Sequence, residues 1–154
     1  MAKYNQYEKK EKVAAYRLRI SPEVIDAIYE AILRAMIVDK KYRDPDYTAK
    51  QLATDIHSNT RYVSAAVSLR FNMNFSELVN GYRVREAAHM LTDRRYKNLT
   101  VEQIATACGF RSRQSFHATF YRTYQQSPRD YQRAFEKRTA KNKEQDNVPA
   151  KEQV

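Results

Sequence analysis

Arg113 and Gln114 stand side by side at the head of RQSFHATFYRTY, where apolar residues recur at helical spacing through Phe116, Thr119 and Phe120. That spacing turns Arg113, Gln114, His117, Ala118, Tyr121 and Arg122 outward. A guanidinium matches O6 and N7 of guanine, and a carboxamide matches N6 and N7 of adenine, so the pair has the chemistry of a reader of base edges in a major groove. An earlier stretch, TRYVSAAVSLR, has Tyr62, Val63, Ala66 and Val67 on its apolar stripe and Arg61, Ser64, Ala65 and Ser68 outward. Both stretches lie in windows without a single acid. Ile56 to Ser76 holds Arg61 and Arg70; Gln103 to Arg129 holds Arg111, Arg113, Arg122 and Arg129. A solvated basic face is the ordinary reading of a charge run. Two acid-free windows aligned with two copies of one motif favour an anionic partner instead, because phosphate repels carboxylate.

Other chemistries find less support. The single cysteine, Cys108, excludes an internal disulfide and a cysteine-based zinc cluster, and it falls on an inward position before Gly109. His57, His89 and His117 have no metal-ligand spacing and no acidic cluster beside them. Tyr62, Tyr82, Tyr124 and Tyr131 sit at core spacing, which is a poor arrangement for stacking single-stranded bases. Nothing here assembles a catalytic constellation. The expectation is a protein that is not an enzyme and needs no cofactor or metal.

The elements that must position these side chains occur in duplicate. QLAT at residues 51–54 returns as QIAT at 103–106. In the first copy Thr48 or Asp46 can cap a helix over about 49–56, whose Leu52, Ala53 and Ile56 face inward. His57-Ser58-Asn59 breaks it, and Asn59 or Thr60 caps a second helix over about 60–70. In the second copy Thr100-x-x-Gln103 has capping-box spacing. Val101, Ile104, Ala105 and Cys108 point inward, Gly109 supplies the turn, and Ser112 caps a helix over about 113–124. Two short helices joined by a tight turn, the second polar and acid-free outside, form the helix-turn-helix pattern. Between the copies, Asn74 or Phe75 opens a helix to about Leu91, with Phe75, Leu78, Val79, Tyr82, Ala87, Met90 and Leu91 inward. Gly81 inside it implies close packing or a bend.

The expected fold is therefore all-α: two helix-turn-helix modules joined by a central linker helix and preceded by an extra N-terminal helix. Residues 1–20 read as a basic N-terminal arm and 21–46 as the extra helix and a loop. Residues 47–135 read as the double helix-turn-helix domain and 136–154 as a disordered charged tail. Ser21-Pro22-Glu23 starts the extra helix, which the apolar spacing carries to about Lys40. Its stripe of Ile25, Ile28, Tyr29, Ile32 and Met36 suits packing on the next module or, alternatively, a partner. Composition agrees. Of 154 residues 42% are hydrophobic, only two are glycine and four proline, and the net charge is +10. That balance suits a helical core and an anionic partner. No run reaches the ~18 apolar residues of a membrane span, and MAKYNQYEKKEK lacks a signal-peptide apolar region. A cytoplasmic address and no membrane partner are expected.

Residues 47–133 resemble the double helix-turn-helix DNA-binding domain of the AraC/XylS transcription regulators. The resemblance is carried by I-A-x-x-x-G-F at 104–110, F-x-x-x-F at 116–120, S-P-x-x-Y at 127–131 and Y-R-V-x-x-A at 82–87. It implies two recognition helices, about 60–70 and 113–124, in successive major grooves. By that likeness Asn59, Arg61, Ser64 and Ala65 meet bases through the first, and Arg113, Gln114, Ser115 and Ala118 through the second. Thr60, Arg70, Arg111, His117 and Arg122 complete the expected DNA-binding set. The sequence departs from the family pattern at Asn72 and Gln126, where glycine is usual, and at Gln132, where arginine is usual. Double-stranded DNA is the expected partner, bound by a monomer. RNA polymerase and a second copy joined through the 22–40 helix stay open. A non-specific nucleoid-type DNA binder and a protein-interaction module on the same fold are the alternatives.

Overall fold

The computed structural model describes residues 19–146, for Gln145 and Asp146 the backbone alone. Among these residues there are only helices: α1 (Pro22–Leu33), α2 (Ala49–Asp55), α3 (Thr60–Phe71), α4 (Phe75–Thr92), α5 (Val101–Ala107), α6 (Arg113–Tyr124) and α7 (Pro128–Asp146). Local sequence explains where most of them begin. The side chains of Ser21, Thr48, Asn59 and Ser112 accept hydrogen bonds from the backbone N–H three residues on, at 2.9 to 3.4 Å. Thr100 and Gln103 close a reciprocal capping box, and Asn74 and Glu77 exchange the same pair of bonds at 2.9 Å each. Each cap satisfies a donor that the first helical turn leaves orphaned, which stabilises a helix by about 1 kcal/mol.

The chain divides into two compact units, and the division falls inside α4 between Gly81 and Tyr82. In the first unit α3 is packed by both α1 and α2. The α1 stripe Ile25, Ile28 and Ile32 is buried, and Tyr29 meets Phe71 with ring centroids 5.4 Å apart. That stripe is accordingly used within the unit. The extra helix does not stay α-helical to Lys40. It ends at Leu33, relaxes into a π-helical turn over Arg34–Val38 and stops at Lys40, which is left-handed with φ 48°. The wider turn brings Ala35 and Met36 inward and leaves Ile37 and Val38 exposed. Of the expected basic arm only Arg19 and Ile20 fall within the described residues, and Ile20 is buried rather than part of a free arm.

The core of the second unit gathers Val84, Ala87, Ala88, Met90 and Leu91 of α4 with Ile104, Ala105, Cys108, Phe110, Phe116 and Phe120. Its aromatic rings form a chain, Phe110 to Phe116 to Phe120, with centroids 5.1 and 5.6 Å apart, continued by Tyr124 and Tyr131. Tyr82, expected inside, is half-buried. Cys108 is fully buried beside the Met90 thioether. The final helix corrects the expected tail. It does not fade at Glu136 but continues to Asp146. Residues 136–144 are exposed on all sides, yet KRTAKNKE consists largely of good helix formers, so propensity prolongs a helix that packing no longer needs. Residues 147–154 of that tail lie outside the described residues.

Candidate nucleic-acid interface

The two short helices that precede the acid-free helices end in the same way, bond for bond. Ser58 N–H donates to Ala53 C=O and His57 N–H to Thr54 C=O; Phe110 N–H donates to Ala105 C=O and Gly109 N–H to Thr106 C=O, all at 2.8 to 3.2 Å. This crossed pair of bonds is the Schellman closure, and it needs a left-handed residue at the turn. Gly109 takes that place with φ 97° and His57 with φ 54°. From cap to cap the second turn is one residue longer. Asn59 caps α3 three residues after Ile56, whereas Ser112 caps α6 four after Cys108. Beyond the turns the copies align again. Val63 and Val67 of α3 correspond to Phe116 and Phe120 of α6, all fully buried, and Asn72 and Gln125 end the two helices left-handed at φ 55° and 57°.

This framework exposes Asn59, Thr60, Arg61 and Ser64 at α3, and Arg111, Arg113, Gln114, Ser115, Ala118 and Arg122 at α6. Tyr121, 59% exposed, shares the outer face of α6. Neither helix contains an acid or a lysine. Asn59 and Ser112 use their side-chain oxygens as caps, so both anchor the start of their helix.

Three expected site residues are placed differently. Ala65 is buried, at 4% exposure. Ala65, Ala66 and Val67 are buried in succession, and at 100° per residue three neighbours cannot share one face. Packing of α3 between α1 and α2 closes a wider arc than a single stripe predicts. Arg70 is turned to α1: its guanidinium pairs with Asp26 and lies 5.9 Å from the centre of the Tyr29 ring. The pair ties α1 to α3, and 41% of the Arg70 side chain stays exposed. His117 is half-buried rather than outward. Its ring meets the edge of Phe116 at 5.5 Å and its Nε2 is buried. A small hollow of about 60 Å³ lies there, lined by Glu102, Thr106, Arg111, Arg113 and His117 among others.

Glu102 was not among the expected site residues. It lies on α5 one position before the second acid-free window, and its carboxylate Oε1 is 3.6 Å from Nε of Arg113. Both side chains are well exposed, at 46% and 67%. The signal in sequence is faint: Val101, Ile104, Ala105 and Cys108 point inward, which leaves Glu102 on the outer side of α5. Directly after α4, Asp93 accepts side-chain and backbone hydrogen bonds from Arg95, which hold its carboxyl down at about 2 and shape the start of the connection to α5. Among the described residues no group of His, Cys, Asp and Glu could hold a metal ion, and no helix is long and apolar enough to cross a membrane.

Two closely matching helix-turn-helix modules strung on one helix define a double helix-turn-helix protein. A family model described as a helix-turn-helix domain matches residues 52–134, and the chain belongs to this family, of the AraC type. No curated protein matches the sequence. Among solved structures, the C-terminal domain of AraT, a response regulator from Geobacillus stearothermophilus, is similar at 23% identity and a TM-score of 0.59, over 75% of this chain and 88% of that one. The C-terminal domain of the two-component response regulator yesN from Fusobacterium nucleatum is 24% identical at a TM-score of 0.57, over 65% and 94%. A DNA-binding transcriptional dual regulator from Escherichia coli K-12 is 17% identical at 0.58, over 68% and 90%. At these identities the likeness is one of fold.

Proposed function

We propose that the chain is a sequence-specific regulator of transcription that reads double-stranded DNA with α3 and α6 in successive major grooves. The observation that carries this reading is the division of α6. Phe116, Thr119 and Phe120 are buried on one side, while Arg113, Gln114, Ala118 and Arg122 are exposed on the other side of a helix that has no acid of its own. Membership of the family and the fold shared with regulators support it. Arginine and glutamine at a helix start suit base edges, whereas a binder indifferent to sequence would rely on lysine.

Arg113 and Arg122 have separable roles. Arg113 opens α6 and, on this reading, makes a bidentate contact to guanine; Arg122 lies near the C-terminal end and contacts phosphate. Arg113→Ala should lose roughly 1–3 kcal/mol on a preferred duplex and far less on a scrambled one. Arg122→Ala should weaken both alike and make the logarithmic salt slope shallower by about 1. Titrations of both variants on the two duplexes at several salt concentrations check this. Equal losses on both duplexes for Arg113→Ala would reduce that residue to a phosphate clamp and remove the support for base reading.

A further inference from the structure

We infer that Glu102 is a positioning residue for Arg113, holding its guanidinium in the orientation that reads a base. The inference rests on the proposed role of Arg113 and adds the partner that makes that role selective. Glu102 approaches Arg113 at Nε, 3.6 Å away. Nε lies on the flank of the planar guanidinium, and the two terminal Nη groups form its far end. A carboxylate at the flank leaves those two donors available, and they are the pair that matches O6 and N7 of guanine.

An arginine side chain otherwise has about 2 kcal/mol of rotamer freedom to lose when it is fixed. A partner that restricts it beforehand lowers that loss when it docks. The two ends of the pair stand on different helices. Glu102 lies in the first turn of α5 and Arg113 in the first turn of α6, and the Schellman closure at Cys108–Phe110 fixes the connection between those helices. The partner thus stands on a separate helix whose backbone is fixed relative to α6.

The negative charge has a second consequence. A carboxylate beside the interface repels phosphate wherever Arg113 has no base to engage. On a scrambled duplex the repulsion persists without compensation. On the preferred duplex the orienting effect offsets it. Glu102 therefore increases discrimination more than affinity.

The test compares the full chain with Glu102→Gln, Arg113→Ala and the double variant on a preferred and a scrambled duplex. Glu102→Gln keeps the shape of the side chain and removes its charge. The expected result is a preferred-to-scrambled affinity ratio lowered roughly 2- to 5-fold, the range of an exposed ion pair, with scrambled binding unchanged or tighter. In the Arg113→Ala background the same substitution should leave the ratio unchanged, and thermal melting should match the parent throughout. Equal shifts on both duplexes, or a lowered ratio that survives without Arg113, would overturn the positioning role. If Arg113→Ala itself leaves the ratio intact, the base-reading role fails first; if Arg113→Ala lowers the ratio and Glu102→Gln does not, only the positioning role fails.

Discussion

His57 adopts φ 54° at the turn position where the second module has Gly109. A left-handed residue with a Cβ costs roughly 1–2 kcal/mol relative to glycine, although histidine is among the residues that tolerate the region best. His57→Gly should therefore stabilise the first unit by about 1 kcal/mol without altering its fold, as measured by denaturant unfolding. Destabilisation would show that the imidazole makes a contact the turn depends on. A second residue sets a pH limit. The Tyr47 hydroxyl is buried with no hydrogen-bond partner among the described residues, and burial, then the charges of Asp55 and Asp39, push its pKa up to about 12. The neutral form is the one the fold prefers. Stability from this source is complete below pH 10, where the unfolded tyrosine begins to ionise, and is lost as pH rises through about 12. Tyr47→Phe should remove that alkaline dependence and hold or raise stability by about 1 kcal/mol at neutral pH, since it deletes an orphaned polar group. A clear loss at neutral pH would mean that the hydroxyl has a partner.

At the scale of elements, what was legible in the sequence was what is decided locally. The caps at Ser21, Thr48, Asn59, Thr100 and Ser112 lie within three residues of the donors they satisfy, so the starts of five helices could be read directly. What was not legible depends on which helix crosses which. A single stripe along α4 misses Val84 and Ala88, because the second half of that helix buries its own set for a different core. Ala65 reads as outward, and the Asp26 partner of Arg70 goes unseen, until α1 is known to pack on α3, and Glu102 becomes relevant only once α5 and α6 set its carboxylate beside Arg113. The end of α7 was misread for the opposite reason. Apolar periodicity stops near Phe135, but a helix can continue on propensity alone, as this one does to Asp146. The buried cluster of the second unit draws nothing from beyond Tyr131. Deleting residues 139–154 should therefore shorten α7 and lower the melting temperature by less than about 4 °C, the shift that ~1 kcal/mol produces in a unit of this size. A larger drop in a circular-dichroism melt would show that the exposed turns of α7 hold the unit together.

At the scale of the whole molecule, duplication is the feature that function has to explain. One helix-turn-helix reads a few base pairs, and many such proteins dimerise to read two half-sites. On the proposed reading, two modules in one chain, with acid-free helices α3 and α6, would supply two readers without a partner copy, and the two need not prefer the same bases. Arg61 and Ser64 are exposed in the first and Arg113 and Gln114 in the second, so the two helices offer different side-chain chemistry. A palindromic site is not required. Selection of bound duplexes from a random pool by the full chain tests this most directly. The account predicts enrichment of a bipartite, non-palindromic motif. Recovery of a pool without enrichment, although the protein binds DNA, would contradict it.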